Sequence, residues 1–144
     1  MVTVLIADDE DDILSLIENF LLIFGHNVIA KTHNGREAVE IYKNFQNKPD
    51  IVLLDYIMPV LNGLDAAKEL LAFHPDCNIV IVTAHDGIES IASKIGVKFV
   101  LKKPFNYTDL DGVIKKVLTR TISSVSTKSS VPVKNSTLSK TNLF

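Results

Sequence analysis

The sequence predicts an α/β fold: a doubly wound, parallel five-stranded sheet with helices on both faces. Three observations lead there. Short runs rich in Val and Ile recur at residues 2–7, 28–30, 51–54, 79–82 and 97–101 without alternating with polar residues. Such runs suit strands buried on both faces. Segments with helical apolar spacing separate them, and strict alternation of the two calls for right-handed crossovers around a parallel sheet. Of the doubly wound orders, 2-1-3-4-5 fits five strands.

In chain order, the first strand leads into a helix marked by Ile13, Ile17, Phe20, Leu21 and Phe24. After the second strand, Asn34 with Glu37 three residues later forms a capping box, and Ala38, Ile41, Tyr42 and Phe45 follow it. The third strand leads to Leu64, Ala67, Leu70 and Leu71, and the fourth to Ile88, Ile91, Ala92 and Ile95. Each set places one apolar stripe toward a sheet. Leu110, Val113, Ile114, Val117 and Leu118 close the series.

Residues 1–120 thus form one domain. After Arg120 the composition shifts to Ser, Thr, Lys and Asn, and Pro132 interrupts the remaining apolar pattern, so residues 121–144 are expected to be a disordered tail. With 144 residues and 47% hydrophobic content, the chain has a real core but no room for a second catalytic domain.

The net charge is −2, and the tail holds three lysines and no acid; removing those three charges leaves −5 for residues 1–120. An acidic body argues against the nucleic-acid backbone as a partner, because that affinity rests on clustered Lys and Arg. Cys77 is the single cysteine, which excludes an intramolecular disulfide and a multi-cysteine zinc site. The six glycines are scattered, so there is no Gly-rich phosphate loop. The opening residues run straight into a strand pattern, without a basic segment and apolar run, and no stretch approaches a membrane span. A cytoplasmic protein is expected, with no membrane insertion.

In a doubly wound sheet, ligands bind outside the carboxyl ends of the strands, where strand order reverses. The first strand ends in Asp8 and Asp9, the third in Asp55, the fourth in Thr83, and the fifth in Lys103 before Pro104. Three carboxylates close together must raise a pKa, recruit a cation or bind a metal. An open, oxygen-rich site favours Mg²⁺, which uses one or two carboxylates and takes other oxygens from water and phosphate. A carboxylate attacks phosphorus when charge on the phosphoryl oxygens is neutralised, and Asp55 is the central candidate. Lys103 would pair with the transferred group and the Thr83 hydroxyl would donate to it.

Taken singly, each residue has an ordinary explanation. Asp8 and Asp9, with Glu10, Asp11 and Asp12, suit a helix N-terminus. Asp55 suits a turn, Thr83 a strand, and Lys103 a solvated loop. Their arrival together at four strand ends is what points to chemistry. His85 also lies near this crevice and fits a solvated loop histidine equally well.

The segments LIADDE (5–10), LLDYIMPVLNG (53–63), IVTA (81–84) and KKPF (102–105) are, in order and spacing, similar to the receiver domain of two-component response regulators, over residues 2 to 118. The resemblance implies a single flavodoxin-like (βα)5 domain, with Asp55 as phosphoacceptor, Asp9 as a direct Mg²⁺ ligand and Asp8 as a partner acting through water. The backbone carbonyl of Ile57 would be a further ligand. Thr83 and Lys103 would contact the phosphoryl group, the Lys103–Pro104 bond would be cis, and Gly63 would shape the neighbouring loop.

The position three before the lysine, usually aromatic in that family, is Val100, with Phe99 on the alternate face. The usual aromatic switch is therefore not expected. Function follows as an expectation: a phosphorylation-dependent signalling switch, fed by a sensor histidine kinase or phosphotransfer protein and acting on a protein target. It would not be an enzyme beyond assisting its own modification, and no DNA-binding segment is expected. Two alternatives stand beside it. One is a receiver-like interaction domain that works without phosphate. The other is an aspartyl-phosphate hydrolase of haloacid-dehalogenase type, disfavoured because Ile57 stands where a general acid is needed.

Overall fold

The computed structural model describes residues 1–128, and of these the side chains of residues 1–120. The chain divides into two compact units, Met1–Val113 and one that begins at Ile114. The first unit contains five strands and four whole helices in strict alternation: β1 (Thr3–Ala7), α1 (Asp11–Ile23), β2 (Asn27–Thr32), α2 (Gly35–Asn44), β3 (Ile51–Asp55), α3 (Gly63–Phe73), β4 (Ile79–Thr83), α4 (Ile88–Ile95) and β5 (Phe99–Lys102). It also holds the opening turns of α5 (Tyr107–Lys128). The second unit is described as the continuation of that helix.

The strands form one sheet of order β2-β1-β3-β4-β5, every pair parallel. This is the doubly wound order expected, with the reversal between β1 and β3. All five residues of β3 and of β4 are buried, which explains why their sequences do not alternate.

One face of the sheet presents Leu5, Val52, Leu54, Ile79 and Ile81 to α2, α3 and α4, whose Ala38, Tyr42, Ala67, Leu70 and Ala92 complete a single buried cluster. The small residues Ala38, Ala66, Ala67 and Ala92 let these helices lie close to the β-branched surface. The opposite parity, Val4, Ile6, Ile51, Leu53, Val80 and Val82, is equally buried, and α1 turns Leu14, Ile17 and Leu21 inward.

The Asn34 half of the expected capping box forms, with Asn34 accepting the Glu37 backbone N–H at 2.9 Å, while the Glu37 carboxylate reaches one residue further back and accepts the His33 N–H at 3.0 Å. A second cap, Asn62 accepting the Asp65 N–H at 2.9 Å, starts α3.

Two boundaries differ from the sequence reading. Val97 is not the start of β5; its N–H donates to the carbonyl of Ala92 behind the left-handed Gly96, so it seals the end of α4. And α5 continues from Thr121 to Lys128, inside the segment expected to be disordered. The sequence spacing Ile114, Leu118, Ile122, Val125 carries the helical period past Arg120. Residues 129–144, the rest of that segment, lie outside the described residues.

Candidate functional site

Alternation along a strand sends successive side chains to opposite faces. Asp8, Asp55 and Lys103 follow Ile6, Leu53 and Leu101 at the same parity, so the strand ends deliver all three to one place. The Lys103 ammonium donates to Asp8 Oδ2 at 3.0 Å and to Asp55 Oδ1 at 3.3 Å. Oxygens of Asp8, Asp9 and Asp55 lie within 4.8 Å of one another. Asp8 is 1% exposed and Asp55 8%, while Asp9 stands in solvent.

Local backbone contacts fix these positions. The Asp8 N–H donates to the Thr32 carbonyl on β2 at 3.1 Å, and Asp8 Oδ1 accepts the Glu10 N–H at 2.8 Å as the chain turns into α1. The Tyr56 N–H donates to Val82 on β4 at 3.1 Å, holding the end of β3. Gly63 then closes the β3–α3 loop: its N–H donates to the Tyr56 carbonyl at 2.7 Å, and a Cβ there would stand 2.1 Å from the Asp55 carbonyl oxygen. Only glycine fits this approach. Lys103 is anchored through its N–H to the Thr83 carbonyl at 2.8 Å, and the bond from Lys103 to Pro104 is cis.

The electrostatics follow from crowding. Burial, then repulsion from Asp8, push the Asp55 carboxyl up to about 6, against the pull of Lys103 and the Tyr56 N–H. Burial alone would lower the Lys103 ammonium; the hydrogen bonds and charges of Asp8 and Asp55 outweigh it and hold its pKa above the ordinary lysine value. The three-carboxylate cluster offers an all-oxygen donor set, open on the Asp9 side, which fits a hard divalent cation that keeps part of its water shell.

Thr83 is 1% exposed at the end of β4, with the opposite parity to Asp55. Its Oγ1 accepts the His85 N–H at 3.0 Å. Ile57, two residues past Asp55, exposes its side chain. Val100 is half-buried against the α2–α3–α4 cluster, as a side chain of Thr83's own face.

The structure adds features that spacing did not signal. The Tyr56 ring meets His85 edge-on, with centroids 5.6 Å apart. Val60, 79% exposed in the β3–α3 loop, sits at φ 68, a left-handed conformation rare for a β-branched residue. The signal for the first was available only as neighbouring sequence positions, Tyr56 after Asp55 and His85 after Thr83.

A family profile described as the response regulator receiver domain matches residues 4–115. The chemotaxis protein CheY of Thermotoga maritima is 36% identical over 116 residues, covering 79% of this chain and 95% of that protein. The response regulator SaeR of Staphylococcus aureus is 34% identical over 83% of this chain and 52% of its own length. Among solved structures, a response regulator receiver domain from Clostridium thermocellum superposes with a TM-score of 0.78 at 29% identity, over 86% of this chain and 99% of that one. A CheX–CheY–BeF₃–Mg²⁺ complex from Borrelia burgdorferi contains a chain that matches with a TM-score of 0.71 at 27% identity, over 86% of this chain and 89% of that one.

Proposed function

The chain belongs to the response-regulator receiver family, and from that premise we propose that it is a phosphorylation switch whose acceptor is Asp55. The supporting observation is the Lys103 ammonium bridging Asp8 and Asp55, with Asp9 completing the acidic cluster. The donor is a sensor histidine kinase or a phosphotransfer protein, and the output is a changed affinity for a protein target. The protein works in the cytoplasm without binding nucleic acid.

The chemistry follows from the arrangement. An Asp55 carboxylate oxygen attacks phosphorus in line with the donor's P–N bond; an O–P bond forms, the P–N bond breaks, and its electron pair returns to the donor imidazole. With Asp55 titrating at about 6, the attacking carboxylate is mostly ionised at neutral pH. Lys103, already held by Asp8, follows the new charge and pairs with a phosphoryl oxygen. The Thr83 hydroxyl donates to another.

Asp8, Asp9, Asp55 and the Ile57 carbonyl would hold Mg²⁺, which when bound neutralises charge on the phosphoryl oxygens. The magnesium-containing CheY complex with a related fold supports that choice of metal. The domain is regulatory, and its only chemistry is on its own aspartate.

Mass spectrometry after incubation with acetyl phosphate, with and without Mg²⁺, tests this. A single phosphoryl adduct that needs Mg²⁺ and is lost in Asp55→Asn is expected. No adduct on the wild type would overturn the switch in favour of an interaction domain that works without phosphate.

A further inference from the structure

Thr83 is tied into a small network on the loop between β4 and α4. Its hydroxyl oxygen accepts the His85 backbone N–H at 3.0 Å, and Nδ1 of the His85 ring lies 3.5 Å from the same oxygen. The ring packs edge-on against Tyr56, the residue that follows Asp55, at an interplanar angle of 85°. Asp86, the next residue, pairs with Lys102 at the end of β5. Gly87, at φ 78, then turns the chain into α4 without a side-chain cap. Residues 84–87 are all exposed, and among the described residues this loop is tethered at Thr83, Tyr56 and Lys102. Val100, on the same face as Thr83, offers it no hydrogen-bonding atom.

A hydroxyl has one proton to give. The His85 N–H occupies one lone pair of Oγ1. The O–H proton then goes either to His85 Nδ1, in the tautomer protonated at Nε2, or to a phosphoryl oxygen on Asp55. A contact of 3.5 Å is long and weak, whereas a hydrogen bond to a charged oxygen is roughly twice as strong as a neutral one. The exchange therefore runs toward the phosphoryl group whenever one is present.

Building on the phosphorylation reading above, we propose that His85 is a positioning residue: its imidazole holds the Thr83 hydroxyl while Asp55 is bare, and its release carries the change to the loop that opens α4. Loss of the Nδ1 contact leaves the ring against Tyr56 and beside the Asp86 carboxylate. The ring then turns, and Asp86 and Gly87 move with the backbone between them. Position 85, rather than position 100, is the reporter in this chain.

The test uses the full chain labelled with ¹⁵N, treated with acetyl phosphate and Mg²⁺, with the adduct fraction read by mass and the amide and imidazole nitrogens by NMR. On phosphorylation of the wild type, the His85 Nδ1 resonance and the amides of Asp86, Gly87 and Ile88 are expected to shift. Unphosphorylated Thr83→Val is expected to show the released Nδ1 signal already. In His85→Ala the loop shifts, scaled to adduct fraction, shrink several-fold, and His85→Asn, which offers an acceptor near the place of Nδ1, restores part of them. Undiminished loop shifts in His85→Ala, or an unmoved Nδ1 in a wild type that carries the adduct, overturn the role of His85 and leave the phosphorylation reading standing. No wild-type adduct overturns both.

Discussion

Gly63→Ala places one methyl group where the backbone of the acceptor residue already is. The added Cβ would lie 2.1 Å from the Asp55 carbonyl oxygen and 2.9 Å from its carbonyl carbon, distances below the 3.0 Å that real Cβ atoms keep. No flexible side chain is available to yield; either the start of α3 or the end of β3 must retreat. The same place holds the 2.7 Å hydrogen bond from the Gly63 N–H to Tyr56, so retreat also strains that bond. Overpacking of this kind costs about 1–3 kcal/mol, which for a domain of this size lowers the melting temperature by roughly 5 to 15 °C. Because the displaced atoms belong to Asp55, a shift of about 1 Å also lowers the rate of phosphoryl uptake by up to roughly 10²-fold.

Gly112→Ala is the control, since nothing lies within 4 Å of a Cβ there and the residue sits inside α5. It should stabilise by about 0.5–1 kcal/mol through the backbone entropy of the unfolded chain. Thermal melts of both variants, with adduct formation from acetyl phosphate followed by mass, decide the matter. A Gly63→Ala protein that melts with the wild type and takes up phosphoryl at the wild-type rate would refute the reasoning.

Two further outcomes concern stability alone. The His26 ring accepts the Val2 N–H at Nδ1, and burial with the nearby positive amino terminus lowers its pKa below 6.5, Asp111 opposing in part. The unfolded chain then takes up this proton before the folded one, so His26 costs the fold stability as pH falls from about 6.5 through the lowered value. His26→Asn keeps an acceptor without titrating, and its melting temperature should fall less than the wild type's over that range. Comparing the two curves separates His26 from Asp55, whose raised pKa acts in the opposite sense; parallel curves would count against the assignment. Val60→Asn should raise stability by about 1 kcal/mol in a urea melt, because a β-branched residue at φ 68 is strained and its exposed side chain has little packing to lose.

What was legible in the sequence was whatever a period or a topological rule controls. Uniform burial of β3 and β4 wrote itself as unbroken Ile, Val and Leu, and the reversal between β1 and β3 then named the strand ends where chemistry collects. Asp8, Asp55 and Lys103 were found this way, and they do meet. The features that escaped depend on loop conformation. Val97 looked like strand because its composition is strand-like, yet the left-handed Gly96 before it commits its N–H to the helix. The left-handed Val60 and the Tyr56–His85 contact have no periodic signature, since both arise in the connections between elements.

Strand parity also separates two tasks that the sequence alone runs together. Asp8, Asp55 and Lys103 follow the parity of Ile6, Leu53 and Leu101, whereas Thr83 follows Ile79 and Ile81, which face α2, α3 and α4. The charges that would receive a phosphoryl group are thus packed on one side of the sheet's edge, and the hydroxyl that would sense it on the other. A signal passed from Asp55 to Thr83 would cross from one face to the other. Thr83 is the short bridge: its backbone carbonyl holds Lys103 at 2.8 Å, while its side-chain oxygen holds the loop to α4 through His85 at 3.0 Å. A group that drew the Thr83 hydroxyl toward Asp55 would therefore change its hold on His85, the first contact on the way to α4.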